Sequence, residues 1–405
     1  MSKISIFTPT HRPKHILEAY DSIKDQDFDE WVILYNNGAQ PVAILDPRVK
    51  HIKATTRVKG VGHAKKLACA ECTGDILLEL DHDDLLAYGA IYEVRAAFED
   101  PETGFVYSNS VPVNMDFSSR VRFGEAFGWK YETLMYNKKN LDMPIAFPPT
   151  PASVSRIWYA PDHLRAFRRE VYDKVGGYDE ELKVLDDLDI MCRMYLETNF
   201  YHINEGLYIY RVHDQNAWLK NVDAIQVGVW PIYDKYIENM ALHWANVNCL
   251  DCIDLGGRLN KVEGYLSVDR DGDVDIHCDL EGRWPFEDSS VGVVRAFDIF
   301  EHLHDPIGTM QELQRVLAPG GYAFIQVPST DGRGAFQDPT HVSYWNENSF
   351  LYYTDANWAK YIDAPVRFQA MRMYTTEANE QQVKWTVAHL VNLKDGIRPP
   401  GLISI

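Results

Sequence analysis

Apolar residues come along this chain in short runs that end abruptly in polar or glycine residues, with amphipathic stretches between them. "KISIFTPT" and "EWVILYNNG" are Ile- and Val-rich runs of strand length, and "HILEAYDSIKDQ" between them has helical periodicity. That order predicts a βαβ unit and hence a parallel sheet, because parallel neighbours need a crossover. "GVGHAKKLACAECTG" reads as a helix stopped by Gly74 and feeding the strand "DILLEL". From Val111 to Pro161 the pattern loosens into segments rich in aromatics and proline, which read as a binding-loop region, since disordered segments are poor in aromatics. "LRAFRREVYDKV" reads as helical and closes at Gly176-Gly177.

Between Ala217 and Trp244 an amphipathic pattern predicts a connecting helix interrupted near Pro231. Beyond Asn246 the alternation restarts, with "CLDCIDLGG", "YLSVDRD", "DVDIHCDL" and "VGVVRAFDI" as strands. "IGTMQELQRVL" follows as a helix ended by "APGG", and "YAFIQVP" as a further strand. The expectation is an α/β protein of two domains, residues 1–215 and 246–405, joined by a helical segment over 216–245.

Candidate chemistry concentrates where strands end. "ILLELDHDDLLAYGA" runs from a buried strand into Asp81, His82, Asp83 and Asp84, and charges that a core cannot solvate belong at the mouth of a sheet, where ligands bind in open α/β folds. An acidic pair, Asp186-Asp187, follows in "VGGYDEELKVLDDLDIMCRM", and "YRVHDQN" supplies His213. On these motifs the first 215 residues resemble the inverting, family 2-like glycosyltransferases with the GT-A nucleotide-binding fold. The resemblance implies a nucleoside-diphosphate-sugar donor and a glycan or glycolipid acceptor. It implies Asp81 on the ribose or base, Asp83 as ligand of Mn²⁺ or Mg²⁺ with His213 completing the metal shell, and Asp187 of the pair Asp186-Asp187 as the base. Thr8, Thr10, Arg12 and Lys65 are candidates for nucleotide contacts. Where the family ends its second strand in aspartates, this chain has Asn36-Asn37-Gly38, and asparagine both donates and accepts hydrogen bonds.

The second half resembles the class I S-adenosylmethionine-dependent methyltransferases, with a Rossmann-like fold. Asp254, Gly256 and Gly257 in "CIDLGGRLN" match that family's first motif, Asp269 its ribose acid, and Asp279-Leu280 its adenine-side motif. Phe297 and Glu301-His302 follow the fourth strand. A Gly-rich turn lets backbone approach a cofactor where a side chain would collide. Arg258 stands where the family has a further glycine, and crowds or pairs with the cofactor carboxylate. His341 and Asp338 in "QDPTHVSYW" act as a base near a hydroxyl or hold their loop together. No Asn-Pro-Pro-Tyr motif follows the fourth strand, which disfavours an amino-group DNA methylase. The joint reading is a bifunctional enzyme that transfers a sugar with inversion and O-methylates a glycan hydroxyl. Its rivals are a non-catalytic methyl-donor- or acceptor-binding C-terminal module, an enzyme acting on DNA bases, and a structural interaction protein with both sites inactive.

Charge and composition narrow this further. The net charge of −19 argues against nucleic acid as a partner, since that binding rests on clustered Lys and Arg. No apolar run reaches the roughly 20 residues of a membrane helix, which leaves only peripheral membrane contact, and no secretory signal opens the sequence, so the expected setting is cytoplasmic. The CxxC pairs Cys69/Cys72 and Cys249/Cys252 lie in a helical and a strand pattern, so they read as buried small apolar residues rather than zinc ligands. The oligomeric state is not readable from the sequence.

Overall fold

The first Ile- and Val-rich runs become strands buried along their whole length, as a sheet covered on both faces demands: β1 (Ile4–Thr10) and β2 (Glu30–Tyr35). The computed structural model describes residues 2–124, 128–363 and 367–394. The chain divides into two compact units, Met1–Ile237 and Glu238–Ile405. The expected α/β class holds in both.

In the first unit β3 (Val49–Lys53), β4 (Ile76–Glu79), β5 (Leu85–Leu86), β6 (Thr103–Asn114), β7 (Tyr131–Tyr136), β8 (Lys139–Pro144), β9 (Arg165–Arg168) and β10 (Asn199–Val212) follow in chain order. Among the described residues one sheet runs β3-β2-β1-β4-β9-β6-β10-β5, and β7-β8 form a separate hairpin. β1 pairs in parallel with β2 and β4, whereas β9 pairs antiparallel with both β4 and β6. The sheet is therefore mixed, not purely parallel. "LRAFRREVYDKV" is accordingly divided into β9 and the helix Arg169–Lys174. Ala166 and Phe167 fill a slot between two existing strands, and that tertiary pairing overrides local helical preference. The region from Val111 to Pro161 likewise holds more than loops, with the β7-β8 hairpin and the helix Pro151–Arg156 capped by Thr150. The helix Val61–Ala70 ends short of Gly74.

In the second unit β11 (Asp251–Leu255), β12 (Leu266–Asp269), β13 (Ile276–His277), β14 (Val291–Phe297), β15 (Leu317–Pro328), β16 (Phe368–Thr375) and β17 (Trp385–Asn392) form a sheet in the order β13-β12-β11-β14-β15-β17-β16. The chain steps outward from β11 to β13 and then resumes on the other side at β14, so the crevice between β11 and β14 is the switch point at which open α/β sheets bind ligands. β17 pairs antiparallel with β15 and β16. The helix Pro306–Val316 ends just before "APGG", as expected, and that segment also opens β15, with Gly320 at φ +80°.

The helix Val222–Val247 runs through Pro231 without interruption, contrary to expectation, and the boundary between the units falls within it. No described helix is long and apolar enough to cross a membrane. Cys69, Cys72 and Cys252 are buried thiols, as read from their patterns, but Cys249 is exposed, in a turn at φ +55°.

Candidate functional sites

The first site stands on the C-terminal ends of β1, β2 and β4. Beneath it lies a cluster of buried charge. The side chain of Lys65, 4% exposed, places Nζ 2.7 Å from Glu79 Oε1, 3.4 Å from Asp186 Oδ2 and 2.5 Å from Asp187 Oδ1. Arg165, also buried, reaches Asp187 Oδ2 at 2.6 Å, and the Tyr178 hydroxyl donates to Glu79 Oε2 at 3.1 Å. Lys65 is thus an internal counterion rather than the nucleotide contact expected from the sequence. The cluster separates the two acids of the pair. Burial pushes the Asp186 carboxyl up to about 7 against the pull of Lys65. Burial acts the same way on Asp187, but Arg165 and Lys65 outweigh it and hold that carboxyl well below the usual range. Asp187 is also the more open of the two, with its side chain 25% exposed against 7% for Asp186.

Above this cluster the aspartates after β4 take different parts. Asp84 is buried and structural: its Oδ1 accepts from Arg211 N–H at 2.7 Å and its Oδ2 from the Tyr208 hydroxyl at 3.0 Å. Arg211, buried as well, binds the Asp83 carbonyl and Glu18, so β10 clamps the loop. That clamp brings Asp83 and His213 together, with Asp83 Oδ2 and His213 Nε2 2.9 Å apart. One cation with bonds of roughly 2.1 Å sets two neighbouring ligands about 3 Å apart, so carboxylate and imidazole fit a Mn²⁺ or Mg²⁺ ion. Asp81 is not ion-paired with any described Lys or Arg; its Oδ2 lies 3.9 Å from Nε2 of His163, an imidazole that burial holds toward the neutral form. Burial, with Glu79 and Asp83 adding to it over the opposition of Lys65, pushes Asp81 up to about 8. The edge carries more negative charge than its own cations balance.

Arg12 lies beside this pair, donating to Gln215 at 2.7 Å, and Gln215 N–H donates to His213 Nδ1 at 3.1 Å. Thr8 does not face the site. It is buried, donates to the Leu80 carbonyl at 2.6 Å and accepts from Trp31 Nε1 at 2.8 Å, so it ties the sheet together. Thr10 is buried too, its hydroxyl accepting from Arg12 N–H at 3.2 Å, which shapes the turn. Asn36 follows β2 and donates its N–H to the Thr10 carbonyl at 2.9 Å; Asn37 is exposed at φ +50° on the same edge. Glu79, Arg165 and His163 escaped sequence reading. A lone acid between leucines in "ILLEL" was the signal for Glu79.

The second site stands at the switch point of the other unit. Gly256, at φ +79°, and Gly257 donate their N–H groups to the Val268 carbonyl at 2.8 and 3.3 Å. A Cβ on Gly256 would come within 3.1 Å of Ile299, so the turn is closed to larger residues. Asp269 ends β12 half-buried, its Oδ1 accepting from Asp271 N–H at 3.0 Å. Asp254 is buried at the turn: its Oδ1 pairs with Arg295 at 2.8 Å, joining β11 to β14, while its Oδ2 lies where a Cβ on Gly257 would come within 3.1 Å of it. Arg295 in turn lies 3.8 Å over the half-buried Phe297 ring. Asp279 is exposed and caps a turn through Glu281 N–H at 3.2 Å, while Leu280 packs in the core. Arg258 runs its stem against Gly272, in the turn after β12. His302 sits with Glu301 and His341, and Asp338 holds its own loop by accepting from Thr340. Burial pushes Glu301 up to about 8.

The two units define the class: an α/β protein with two separate sites, each at strand C-terminal ends. Residues 5–176 match the family described as glycosyl transferase family 2, and residues 233–383 match a methyltransferase domain. The chain therefore joins a family 2 glycosyl transferase domain to a methyltransferase domain. It is 25% identical over 250 residues to an Escherichia coli chondroitin synthase, an alignment that takes in 59% of this chain and 33% of that protein, so the chain spans about a third of its relative's length. Among solved structures it is similar to residues 1–349 of S. aureus TarS in complex with UDP-GlcNAc, at 17% identity and a TM-score of 0.44, covering 61% of this chain and 72% of that one. It is also similar to the Pyrobaculum calidifontis mannosyltransferase PcManGT in complex with GDP-Man and Mn²⁺, at 17% identity and a TM-score of 0.36, covering 61% and 64%.

Replacing Lys65 by Met leaves the buried Glu79 and Asp186, and Asp187 beside them, around an apolar side chain. Removing one partner of a buried charge cluster costs about 3–5 kcal/mol. Chemical denaturation of Lys65→Met is expected to show a loss of that size; a loss below about 1 kcal/mol would mean that the cluster is not a structural unit.

Proposed function

We propose that the first unit transfers a sugar from a nucleoside-diphosphate donor with inversion, and that the second unit O-methylates a glycan hydroxyl with S-adenosylmethionine. The observation that carries the first part is the pairing of Asp83 with His213 at 2.9 Å beside an acid pair of which one member, Asp187, is held as an anion by Lys65 and Arg165. Asp83 and His213 would hold Mn²⁺ or Mg²⁺, which neutralises the diphosphate leaving group. Arg12, Asn36 and Asn37 line the same edge for the nucleotide, with Asp81 on the ribose or base. Asp187 accepts the proton of the acceptor hydroxyl as that oxygen attacks the anomeric carbon on the face opposite the leaving group. Its two cations keep it ionised when the acceptor arrives, and they fix its direction. Asp186, more deeply buried, stands behind it. The similarity to a chondroitin synthase supports sugar transfer onto a glycan or glycolipid.

In the second unit Gly256 and Gly257 give the methyl donor a backbone surface, Asp269 receives its ribose hydroxyls, and Asp279-Leu280 and Phe297 border the adenine side. S-adenosylmethionine supplies the electrophilic methyl group. Joining the two sites on one chain raises the local concentration of the first product at the second site. Free cysteines on both units support a reducing, cytoplasmic setting.

Asp187→Asn is expected to lower the rate of sugar transfer by about 10²–10⁴-fold, the usual worth of a general base, while nucleotide-sugar affinity stays within about threefold. Asp186→Asn is expected to lose less. A larger loss in Asp186→Asn would move the base to that residue. With both donors and an acceptor supplied, mass spectrometry is expected to show methylated product only when the nucleotide sugar is present. Methyl incorporation without it would end the coupled reading, and none under any condition would make the second unit a binding module.

A further inference from the structure

Three side chains of the second unit gather outside the roles given above. Glu301 and His302 lie in the short turn Phe300–His302 after β14, and His341 comes from the segment that follows the helix Gly334–Gln337. The two segments are clasped together. Val342 and Ser343 N–H donate to the Glu301 carbonyl at 2.8 and 3.0 Å, and the Ser343 hydroxyl donates to the Phe300 carbonyl at 2.9 Å.

Glu301 is 2% exposed, and neither oxygen of its carboxylate has a hydrogen-bond partner. His341 Nε2 lies 3.8 Å from Oε1, beyond hydrogen-bond reach. A carboxylate buried without a donor is costly unless a cation stands beside it.

The two imidazoles are set to supply that cation's other ligands. His341 Nδ1 lies 3.0 Å from the Ala335 carbonyl, and a carbonyl only accepts, so Nδ1 carries the proton and Nε2 a lone pair. His302 Nδ1 lies 3.2 Å from the Thr340 carbonyl. The Thr340 hydroxyl gives its proton to Asp338 Oδ1 at 2.6 Å, so it does not donate to the ring, and His302 too has its proton on Nδ1. Metal-bound histidines have this arrangement, with one nitrogen on the ion and the other donating to a carbonyl. The ligand atoms of Glu301, His302 and His341 lie within 4.8 Å of one another. Small side-chain rotations bring such atoms to the roughly 3–3.5 Å spacing that bonds of about 2.1 Å require.

We propose that Glu301, His302 and His341 form a binding site for a divalent transition-metal ion. Two imidazoles and one carboxylate suit Zn²⁺ and its neighbours, whereas Mg²⁺ and Ca²⁺ prefer oxygen alone. Three protein ligands leave a position open. Ile299, next to this turn, packs against Gly256, so the ion stands beside the glycine turn of the methyl-donor site. A hydroxyl bound at the open position loses its proton more readily. That use of the ion rests on the methyl-transfer reading; the binding of the ion does not.

The test uses the 405-residue chain carrying Asp83→Ala, which breaks the Asp83–His213 pair of the first unit. The protein is stripped with a chelator, dialysed against Zn²⁺ alone and assayed for metal per chain. It is expected to keep a stoichiometric zinc, and Glu301→Gln or His341→Gln in that background is expected to weaken zinc affinity by at least about tenfold. The visible spectrum of bound Co²⁺ is expected to change in His302→Gln, which keeps the test open should the His341 variant not fold; near-UV circular dichroism reports on folding. Zinc at sub-stoichiometric levels in Asp83→Ala, or equal zinc in folded Glu301→Gln, would overturn the site. Stoichiometric zinc in a protein that fails to bind S-adenosylmethionine would uphold the site and remove the methyl-transfer reading instead.

Discussion

The ammonium of Lys65, sealed under the sheet edge among Glu79, Asp186 and Asp187, is the contact on which the first site depends. Three carboxylates at that depth repel one another and lose their hydration, and Lys65 and Arg165 offset both effects only where they stand. Each carboxylate therefore has one position in which it is compensated. The cluster couples four elements that are distant in sequence: the helix Val61–Ala70, the strands β4 and β9, and the helix Asp186–Tyr195. It also makes two adjacent aspartates chemically unequal, one raised by burial and the other held down by two cations. An acid that stays ionised and an edge deficient in positive charge are what a site for a cation and a diphosphate requires.

The second unit reaches a ligand edge by other means. Its charge at the switch point is tied off internally, Asp254 by Arg295, and the surface left for a cofactor is backbone: two glycines whose N–H groups bond to the neighbouring strand. A positive φ at Gly256 and the closeness of Ile299 leave no room there for a side chain. Glu301, by contrast, is left uncompensated, and in a buried setting that imbalance marks chemistry rather than packing.

Much of this was legible in the sequence where strand ends carry charge. Asp81 to Asp84 after "ILLEL" and Asp269 after "YLSV" fall at strand ends as read, and Asp83 meets His213 across 130 residues of chain. Partners were harder to read than positions. Periodicity says that Glu79 is buried but not that Lys65, Arg165 and Tyr178 meet it, since those come from other elements. Lys65 reads as a nucleotide contact in the sequence, although it shares a helix face with Ala68 and Cys69, which are buried. Thr8 was misplaced for the complementary reason: a threonine near a strand end looks like a ligand contact, and only the neighbouring Trp31 and Leu80 show its hydroxyl to be fully used. β9 was invisible because "LRAFRR" suits a helix on its own and becomes a strand only between β4 and β6.

The most direct test of the account is the thermal stability of the intact protein against a panel of nucleotide sugars, with and without Mn²⁺, in the native sequence and in Asp83→Ala. A ligand that binds only the folded state raises its apparent stability. The account predicts stabilisation by a nucleotide sugar that depends on the metal and disappears in Asp83→Ala. A stabilisation that is equal in the variant, or absent for every member in both metal conditions, would contradict it.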